Sequence, residues 1–208
     1  MSEPSKDLGN VLFPVFLKTQ KLDTLIVGGK DTGLEKISFL FKHCENANVT
    51  LIAKTISEEV KNFAKHHPTL TLIERKFKDY DLLNRDILIL ATDKPDLNEK
   101  IHKKAKDKGI LTNVADTPSM CDFYLGSVIK NGDLKIAIST NGRSPTVARR
   151  IRVYLEEMLG DQRLNDILHN LESIRAQIEG DFKEKVKRLN EITQNLVFQQ
   201  KSKTDDER

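Results

Sequence analysis

The chain has 208 residues, of which 38% are hydrophobic and 31% charged, a composition that indicates a folded globular protein and excludes a disordered or fibrous one. No apolar run approaches the ~20 residues of a membrane-spanning helix. The first ten residues lack the basic and then apolar profile of a signal peptide, so a cytoplasmic protein with no membrane partner is predicted. The net charge of +3 is unevenly spread, and residues 1–150 carry +5 (24 basic and 19 acidic residues). That excess suits an anionic small ligand, but it is too small, with only 6% aromatic residues, to indicate a nucleic-acid partner.

Short apolar segments alternate with helical patterns through the first 114 residues. This alternation predicts a parallel sheet covered by helices on both faces. Right-handed crossovers place the carboxyl ends of its first strands along one edge, where such sheets bind ligands. Residues 1–114 are therefore predicted to form a Rossmann-type α/β domain. Its strands are expected at Thr24–Val27, Val49–Ile52, Leu70–Ile73, Asp86–Leu90 and Leu111–Val114, and its helices at Leu34–Cys44, Ser57–His66, Tyr80–Leu83 and Leu97–Lys108.

After residue 115 the pattern changes to a hairpin followed by helices. Asn131-Gly132 between two apolar runs predicts an antiparallel hairpin, and residues 115–150 are predicted to form a small dimerisation and substrate segment. Pro145 opens a helix to Gly160, and residues 151–208 are predicted to form a helical C-terminal domain. Its narrow apolar stripe favours pairing with a second subunit, so a homodimer is expected. The stripe comprises Leu164, Ile167, Leu168, Leu171, Ile174 and Ile178, a break at Gly180-Asp181, and then Phe182, Val186, Leu189, Ile192 and Leu196.

The stretch "LIVGGKDTGLEK" has the strand–turn–helix order of a dinucleotide-binding unit. In the pattern G-x-G-x-x-G/A the three glycines turn the chain, admit the pyrophosphate and allow close packing of helix on strand. Here those positions are Gly28, Lys30 and Gly33. The free N–H groups at the helix start still suit an anion, although an ordinary βα turn is the alternative. The candidate cofactor residues of this turn are Gly28, Gly29, Lys30, Asp31 and Thr32.

The second predicted strand ends without the acidic residue that usually binds the adenine ribose. Lys54 and Thr55 stand at that position instead and are predicted to face the ribose. Because a lysine there tolerates a 2′-phosphate, the choice between NAD and NADP stays open.

Several segments in the same order resemble one family. "LFPVFLKTQKLDTLIVGGKDTGLEK", "ILATDKPDLNEKI", "NVADTP" and "AISTNGRSPTVARRIR" are similar to motifs of the precorrin-2 dehydrogenase / sirohydrochlorin ferrochelatase family, the amino-terminal part of sirohaem synthases. Lys30, Thr32 and Gly33 depart from the family pattern. The resemblance covers roughly residues 11–158. No methyltransferase segment follows, so the stand-alone form is expected.

The resemblance implies NAD-dependent oxidation of precorrin-2 to sirohydrochlorin, and in some members insertion of ferrous iron as a second substrate. It adds Ala91, Thr92 and Asn113 to the cofactor residues. Asp116 matches the family's essential aspartate and is the predicted catalytic proton acceptor, whereas from the residues alone Asp116-Thr117-Pro118 is a turn. The residues predicted to bind the carboxylates of the tetrapyrrole are Ser139, Thr140, Asn141, Gly142, Arg143 and Ser144, assisted by Arg149, Arg150 and Arg152.

Two other functions remain as alternatives. Lys30 and Lys54 lie where a dinucleotide is held, so a member that has lost NAD binding would be a chelatase only, or a tetrapyrrole-binding protein. A Rossmann-type sensor dimer explains the fold and the tail but leaves Asp116 unexplained. No metal-ligand set is predicted, because the five histidines are scattered and the two cysteines, Cys44 and Cys121, are far apart and expected to be reduced.

Overall fold

A parallel sheet of five strands organises the larger part of the chain. The computed structural model describes residues 9–159, 170–175 and 177–193. The strand order is β3-β2-β1-β4-β5, with every neighbouring pair parallel. The chain runs outward from β1 to β3 and then resumes on the other side of β1 with β4, so the order reverses between β1 and β4. The strands are β1 (Thr24–Val27), β2 (Val49–Ala53), β3 (Leu70–Glu74), β4 (Ile87–Leu90) and β5 (Leu111–Val114).

Helices cover both faces of this sheet. All residues of β1 and β4 are buried, as the uninterrupted apolar sequence of central parallel strands requires. Ile26 of β1 packs in one core cluster with Ile37, while Leu25 packs in a second cluster with Ile101 on the opposite face. The helices that supply these contacts are α1 (Asp31–His43), α2 (Glu58–Ala64) and α3 (Pro95–Lys106). The predicted Rossmann-type α/β fold is confirmed.

A hairpin and further helices complete the described residues. Strands β6 (Ser127–Asn131) and β7 (Leu134–Ile138) form the two-stranded sheet, and their turn contains Gly132 at φ +55°. Helix α4 spans Pro145–Leu159, residues 170–175 are helical, and α5 spans Phe182–Thr193 after Gly180 at φ +116°. The predicted stripe positions Leu164, Ile167, Leu168 and Leu196 lie outside the described residues.

The chain divides into two compact units. The first reaches Val128 and includes Ala137–Arg152, and therefore contains the parallel sheet and the start of α4. The second contains Ile129–Ile136 and the chain from Val153 onward. The predicted boundaries at residues 114 and 150 stay predictions. None of the described helices is long and apolar enough to cross a membrane.

Candidate active site

The turn between β1 and α1 is so closely packed that its glycines are required. A Cβ atom on Gly28, which has φ +136°, would lie 2.2 Å from the carbonyl oxygen of Ala91 at the end of β4. A Cβ on Gly33 would lie 2.2 Å from the carbonyl oxygen of Gly28, so α1 packs directly on the turn. Gly29 is equally confined by the β2–α2 loop, because its Cβ would lie 2.7 Å from the Thr55 oxygen. The structure thus brings Gly28, Gly29, Ala91 and Thr55 together.

Lys30 does not fill this turn. Its backbone, at φ −112° and ψ −156°, is extended and accepts any side chain, so the glycine usual at this position is not needed for conformation. The side chain projects into solvent, 75% exposed, and its Nζ lies 3.6 Å from Oδ2 of Asp93, which is 72% exposed. An ion pair this exposed contributes about 0–1 kcal/mol. Lys30 can therefore easily exchange the Asp93 carboxylate for another anion.

The amino terminus of α1 has no side-chain cap. Lys30 occupies the N-cap position without a capping hydrogen bond, and the first helical bond runs from Leu34 N–H to the Lys30 carbonyl. Ser57 and Ser144, in contrast, accept N–H groups at the starts of α2 and α4. The first amides of α1 are thus available to an anion, which the helix dipole favours. The helix starts at Asp31, three residues before the predicted start, which places Asp31 and Thr32 in this first turn.

The carboxyl end of β2 presents a cation to the same edge. Lys54 and Thr55 are exposed in the loop after Ala53. The nearest strand neighbour of Ala53 is Glu74, whose carboxylate accepts hydrogen bonds from Ile56 N–H at 3.0 Å and Lys61 Nζ at 3.3 Å. The Ile56 bond, followed by the Lys61 bond, lowers the pKa of Glu74. Glu74 is therefore engaged within the fold and does not replace the missing ribose-binding acid.

Thr92, a predicted cofactor residue, stabilises the start of α3. Its hydroxyl donates to Oδ1 of Asn98 at 2.6 Å and accepts from Lys94 N–H at 3.2 Å, and the buried Asn98 donates back to the Thr92 carbonyl. Thr92 and Asn98 of the segment "ILATDKPDLNEKI" thus have a local structural role. Asp93, between them, lies near Lys30. A cofactor role for Thr92 stays a prediction.

A cavity of about 450 Å³ lies beyond the carboxyl end of β5, within the first unit. Asp116 lines it in the left-handed region at φ +57°, with its side chain exposed. Aspartate tolerates this conformation better than most residues, and strained positions of this kind concentrate at functional sites. Among the lining residues, Asp116 is the carboxylate and Lys36 of α1 is the ammonium. The lining also includes Asn113, Thr117, Cys121, Tyr124, Ser139, Thr140 and Gly142.

Cys121 and Asp122 hold the edge of β5 behind Asp116. The Cys121 Sγ accepts from Val114 N–H at 3.2 Å and lies 3.3 Å from the Val114 carbonyl and 3.4 Å from that of Thr117. These residues flank the Asp116 turn. Asp122 accepts from Thr112 N–H at 2.9 Å and thereby covers the remaining part of the edge. Burial raises the pKa of the Cys121 thiol, which keeps it a neutral S–H donor.

Replacing Cys121 by alanine should lower the free energy of unfolding by about 1–3 kcal/mol, because the buried Val114 N–H loses its acceptor. Cys121→Ser, which retains a hydroxyl, should lose less. Urea unfolding of both variants measures this, with Cys44→Ala as the control for loss of a half-buried thiol. Equal midpoints for the Cys121→Ala and Cys44→Ala variants would show that the sulfur does not support this turn.

The predicted substrate segment contributes only part of its residues to the cavity. Ser139, Thr140 and Gly142 line it, whereas Asn141, Arg143 and Ser144 are not among the lining residues. The Ser144 side chain caps α4 by accepting Val147 N–H at 3.2 Å, and Thr140 binds the Ser144 backbone. Asn113 is buried and donates to the Phe123 carbonyl at 2.8 Å, so it anchors the wall of the cavity beside Asp116. The basic cluster of α4, Arg149, Arg150 and Arg152, is also outside the lining.

Comparison with known proteins gives a consistent result. A family model described as putative NAD(P)-binding matches residues 15–127, which is more than half of the chain, and one described as sirohaem biosynthesis protein central matches residues 131–158. The chain belongs to the sirohaem synthase family of NAD(P)-binding proteins. The family resemblance inferred from the motifs is thereby confirmed, and NAD as the cofactor is supported by the family model.

Individual relatives agree with this family. The sirohaem synthase of Psychrobacter cryohalolentis is 32% identical over 177 residues, 85% of this chain and 32% of that protein. That of Pseudoalteromonas atlantica is 30% identical over 187 residues, 89% of this chain and 38% of that protein. The solved structure of SirC, a precorrin-2 dehydrogenase, superposes with a TM-score of 0.70 at 25% identity and covers 87% of this chain and 89% of that one. The chain spans about a third of the length of the curated relatives it matches.

Lys36 and Cys121 are among the lining residues of the cavity that were not predicted as site residues. Lys36 is the last residue of the stretch "LIVGGKDTGLEK", and it follows Gly33 by three positions and so lies near the same face of α1. Cys121 was predicted to be an ordinary reduced thiol. Its contacts with Val114 and Thr117 depend on how residues 118–122 fold back along β5, for which the sequence has no short-range signal.

Proposed function

We propose that this protein oxidises precorrin-2 to sirohydrochlorin with NAD. The observation that carries the proposal is the position of Asp116, in a cavity at the same sheet edge as the uncapped start of α1. In sheets of this topology, ligands bind at the carboxyl edge beside the strands where the order reverses, here β1 and β4. A dinucleotide site and a proton acceptor are thus expected along one edge.

The reaction removes two electrons and two hydrogens from the macrocycle. NAD, when bound, supplies the acceptor for the hydride. The second hydrogen leaves as a proton, and Asp116 is the lining carboxylate that can accept it and release it to solvent. The exposed position of Asp116 provides the route to solvent. Cys121 and Asn113 form hydrogen bonds with the backbone of the segments next to Asp116 and so hold this part of the chain in place.

The residues of the β1–α1 turn fit a dinucleotide. The first amides of α1 and the Lys30 ammonium would hold the pyrophosphate, with Gly28 and Gly29 keeping the turn flat against β4 and the β2–α2 loop. Asp31 in the first turn opposes the anion, and Lys30 offsets its charge. On the ribose side, Lys54 and Thr55 are the exposed groups.

The direct test mixes purified protein with precorrin-2 and follows the absorption spectrum. With NAD present, the sirohydrochlorin spectrum should develop together with NADH, and without NAD it should not. Adding ferrous or cobaltous ions to the sirohydrochlorin formed tests the second predicted activity, iron insertion, in which Asp116 would accept pyrrole protons. Metal insertion without NAD-dependent oxidation would contradict the proposal and support the chelatase-only alternative.

Reversing the charge of Lys30 should weaken NAD binding. Lys30→Glu places a carboxylate beside the pyrophosphate, and the dissociation constant should rise about tenfold, which corresponds to about 1.4 kcal/mol. Lys30→Gly should change it by less than about threefold, because the side chain is exposed and its pair with Asp93 is weak. The measurement is the rise in melting temperature with NAD, which at 100 times Kd reflects about 2.7 kcal/mol.

The matched control is Lys42→Glu, the same charge change on an exposed lysine in the last turn of α1. It should leave NAD binding unchanged, since the two positions are twelve residues apart along the helix, which is roughly 18 Å. If Lys30→Gly creates binding that the unaltered chain lacks, Lys30 blocks the turn, which contradicts NAD-dependent oxidation by this chain.

A homodimer is proposed as well. Val147, Ile151, Tyr154 and Met158 recur at steps of four, three and four along α4, and each is at least 40% exposed. Such an apolar stripe on one helix face is typical of helices that pair with another subunit. Sedimentation equilibrium tests the proposal, and the mass of a single chain at micromolar concentration would contradict it.

A further inference from the structure

Lys36 has an unusual position for a lysine. It lies in the middle of α1, yet its side chain is only 18% exposed, and it lines the cavity that contains Asp116. Its Nζ lies 2.8 Å from Oε1 of Glu35, the preceding residue, whose side chain is 69% exposed. Because neighbouring residues of a helix do not face each other and Glu35 is largely exposed, an anionic ligand can compete with Glu35 for this ammonium.

Glu35, the salt-bridge partner of Lys36, is not a lining residue of the cavity. Asp116 is the lining carboxylate, and no ion pair joins it to Lys36 among the described residues. The lining therefore offers a ligand one ammonium and one carboxylate that are not paired with each other.

The other polar groups of the lining are weaker partners for an anion. The Thr140 hydroxyl binds the backbone of Ser144, and Ser139 Oγ accepts Asn141 N–H at 3.2 Å. The arginines of α4 that the sequence suggested for this role are outside the lining. Lys36 is thus the strongest anion-binding group that the lining offers.

We propose that Lys36 binds a peripheral carboxylate of the tetrapyrrole and thereby orients the macrocycle toward Asp116. This rests on the proposed function. A charge-assisted hydrogen bond is short and directional, so one such contact fixes which edge of a substrate with several carboxylates enters the cavity. Lys36 lies on the helix whose first turn is predicted to hold the cofactor, and it therefore links the placement of substrate and cofactor. Its role is positioning, and proton transfer stays with Asp116.

The experiment measures sirohydrochlorin binding by titrating its absorption and fluorescence at low and high salt. Lys36→Met keeps the aliphatic stem and removes the charge, and the dissociation constant should rise about tenfold or more, as expected for loss of a hydrogen bond to a charged group. Its salt dependence should also become smaller. Lys36→Arg should stay within about threefold of the unaltered chain. Lys42→Met, on the same helix but outside the cavity, should change nothing.

Three further readouts separate the outcomes. The melting-temperature shift with NAD should be the same for Lys36→Met as for the unaltered chain, and KM for precorrin-2 should rise more than kcat falls. If Lys36→Met binds the tetrapyrrole normally, or weakens NAD binding instead, the role assigned to Lys36 is wrong while the proposed function stands. If the unaltered chain binds no tetrapyrrole, the proposed function and this inference both fail.

Discussion

Replacing Asp116 by asparagine should lower the rate of precorrin-2 oxidation by a factor of about 10²–10⁴, the range expected when a positioned proton acceptor is removed. Asparagine has nearly the same shape and tolerates the left-handed conformation that Asp116 adopts at φ +57°. The backbone should therefore be unchanged while the lining loses its carboxylate. The measurement is the initial rate of formation of the sirohydrochlorin spectrum at saturating NAD.

Binding and stability measurements separate this chemical role from a structural one. Asp116→Asn should bind sirohydrochlorin and NAD within about threefold of the unaltered chain, as a loss confined to a proton-transfer step predicts. Asp116→Ala should in addition lose about 1–2 kcal/mol of stability, the cost of the left-handed region for alanine. Asn84→Ala, at φ +56° and outside the cavity lining, is the matched control for that cost. An Asp116→Asn enzyme with half of the original rate would exclude this carboxylate as the proton acceptor.

The strands of the parallel sheet were predictable because each is a run of consecutive, mostly apolar residues. β1 and β5 begin and end where expected, and β2 and β3 extend one residue further than expected. Such runs need no information from distant parts of the chain, since both faces of a parallel sheet are covered. The start of α1 was predicted three residues late, because Asp31 and Thr32 are polar and the apolar periodicity begins at Leu34.

The candidate site was predictable only where a local motif carries it. The glycine turn and the Asp116 turn are each formed by a few consecutive residues, and each follows a strand at the carboxyl edge of the sheet. Other parts of the site depend on hydrogen bonds between separate segments, from Ile56 N–H to Glu74 and from Val114 N–H to Cys121. No repeating pattern in the sequence predicts which segments form such bonds. Lys36 was overlooked for a similar reason, because the residues that line the cavity with it, such as Asn113 and Ser139, are far from it in sequence.

Lys30 replaces the second glycine of the dinucleotide-binding pattern, and the structure explains why the fold accepts it. From the sequence, Lys30 was expected to interfere with dinucleotide binding, because the glycine usual at this position lets the pyrophosphate approach the backbone. In the structure the three confined positions are Gly28, Gly29 and Gly33, while Lys30 is extended and exposed. The fold tolerates the substitution because Lys30 has an extended backbone and a side chain that projects into solvent.

The confined glycines lead to the largest expected loss of stability. Gly28→Ala should lower the free energy of unfolding by about 2–6 kcal/mol, because a strained φ costs about 1–3 kcal/mol and an overpacked contact about 1–3 kcal/mol more. The new Cβ would lie 2.2 Å from the backbone oxygen of Ala91, which cannot move without disturbing the pairing of β1 with β4. Since domains are stable by only about 5–15 kcal/mol, much of this variant should be unfolded or poorly soluble.

Two further alanine variants make this prediction testable even if Gly28→Ala does not fold. Gly109→Ala, at φ +71° with nothing within 4 Å of the new Cβ, carries backbone strain without a clash and should cost about 1–2 kcal/mol. Gly33→Ala, in contrast, carries no backbone strain, because Gly33 has an ordinary φ and alanine is preferred over glycine in a helix by about 1 kcal/mol. Its Cβ would nevertheless lie 2.2 Å from the Gly28 oxygen. With an overpacking cost of about 1–3 kcal/mol, Gly33→Ala should lose up to about 2 kcal/mol of stability despite the helix gain. A urea midpoint equal to or above that of the unaltered chain would mean that α1 can move away from the turn without loss.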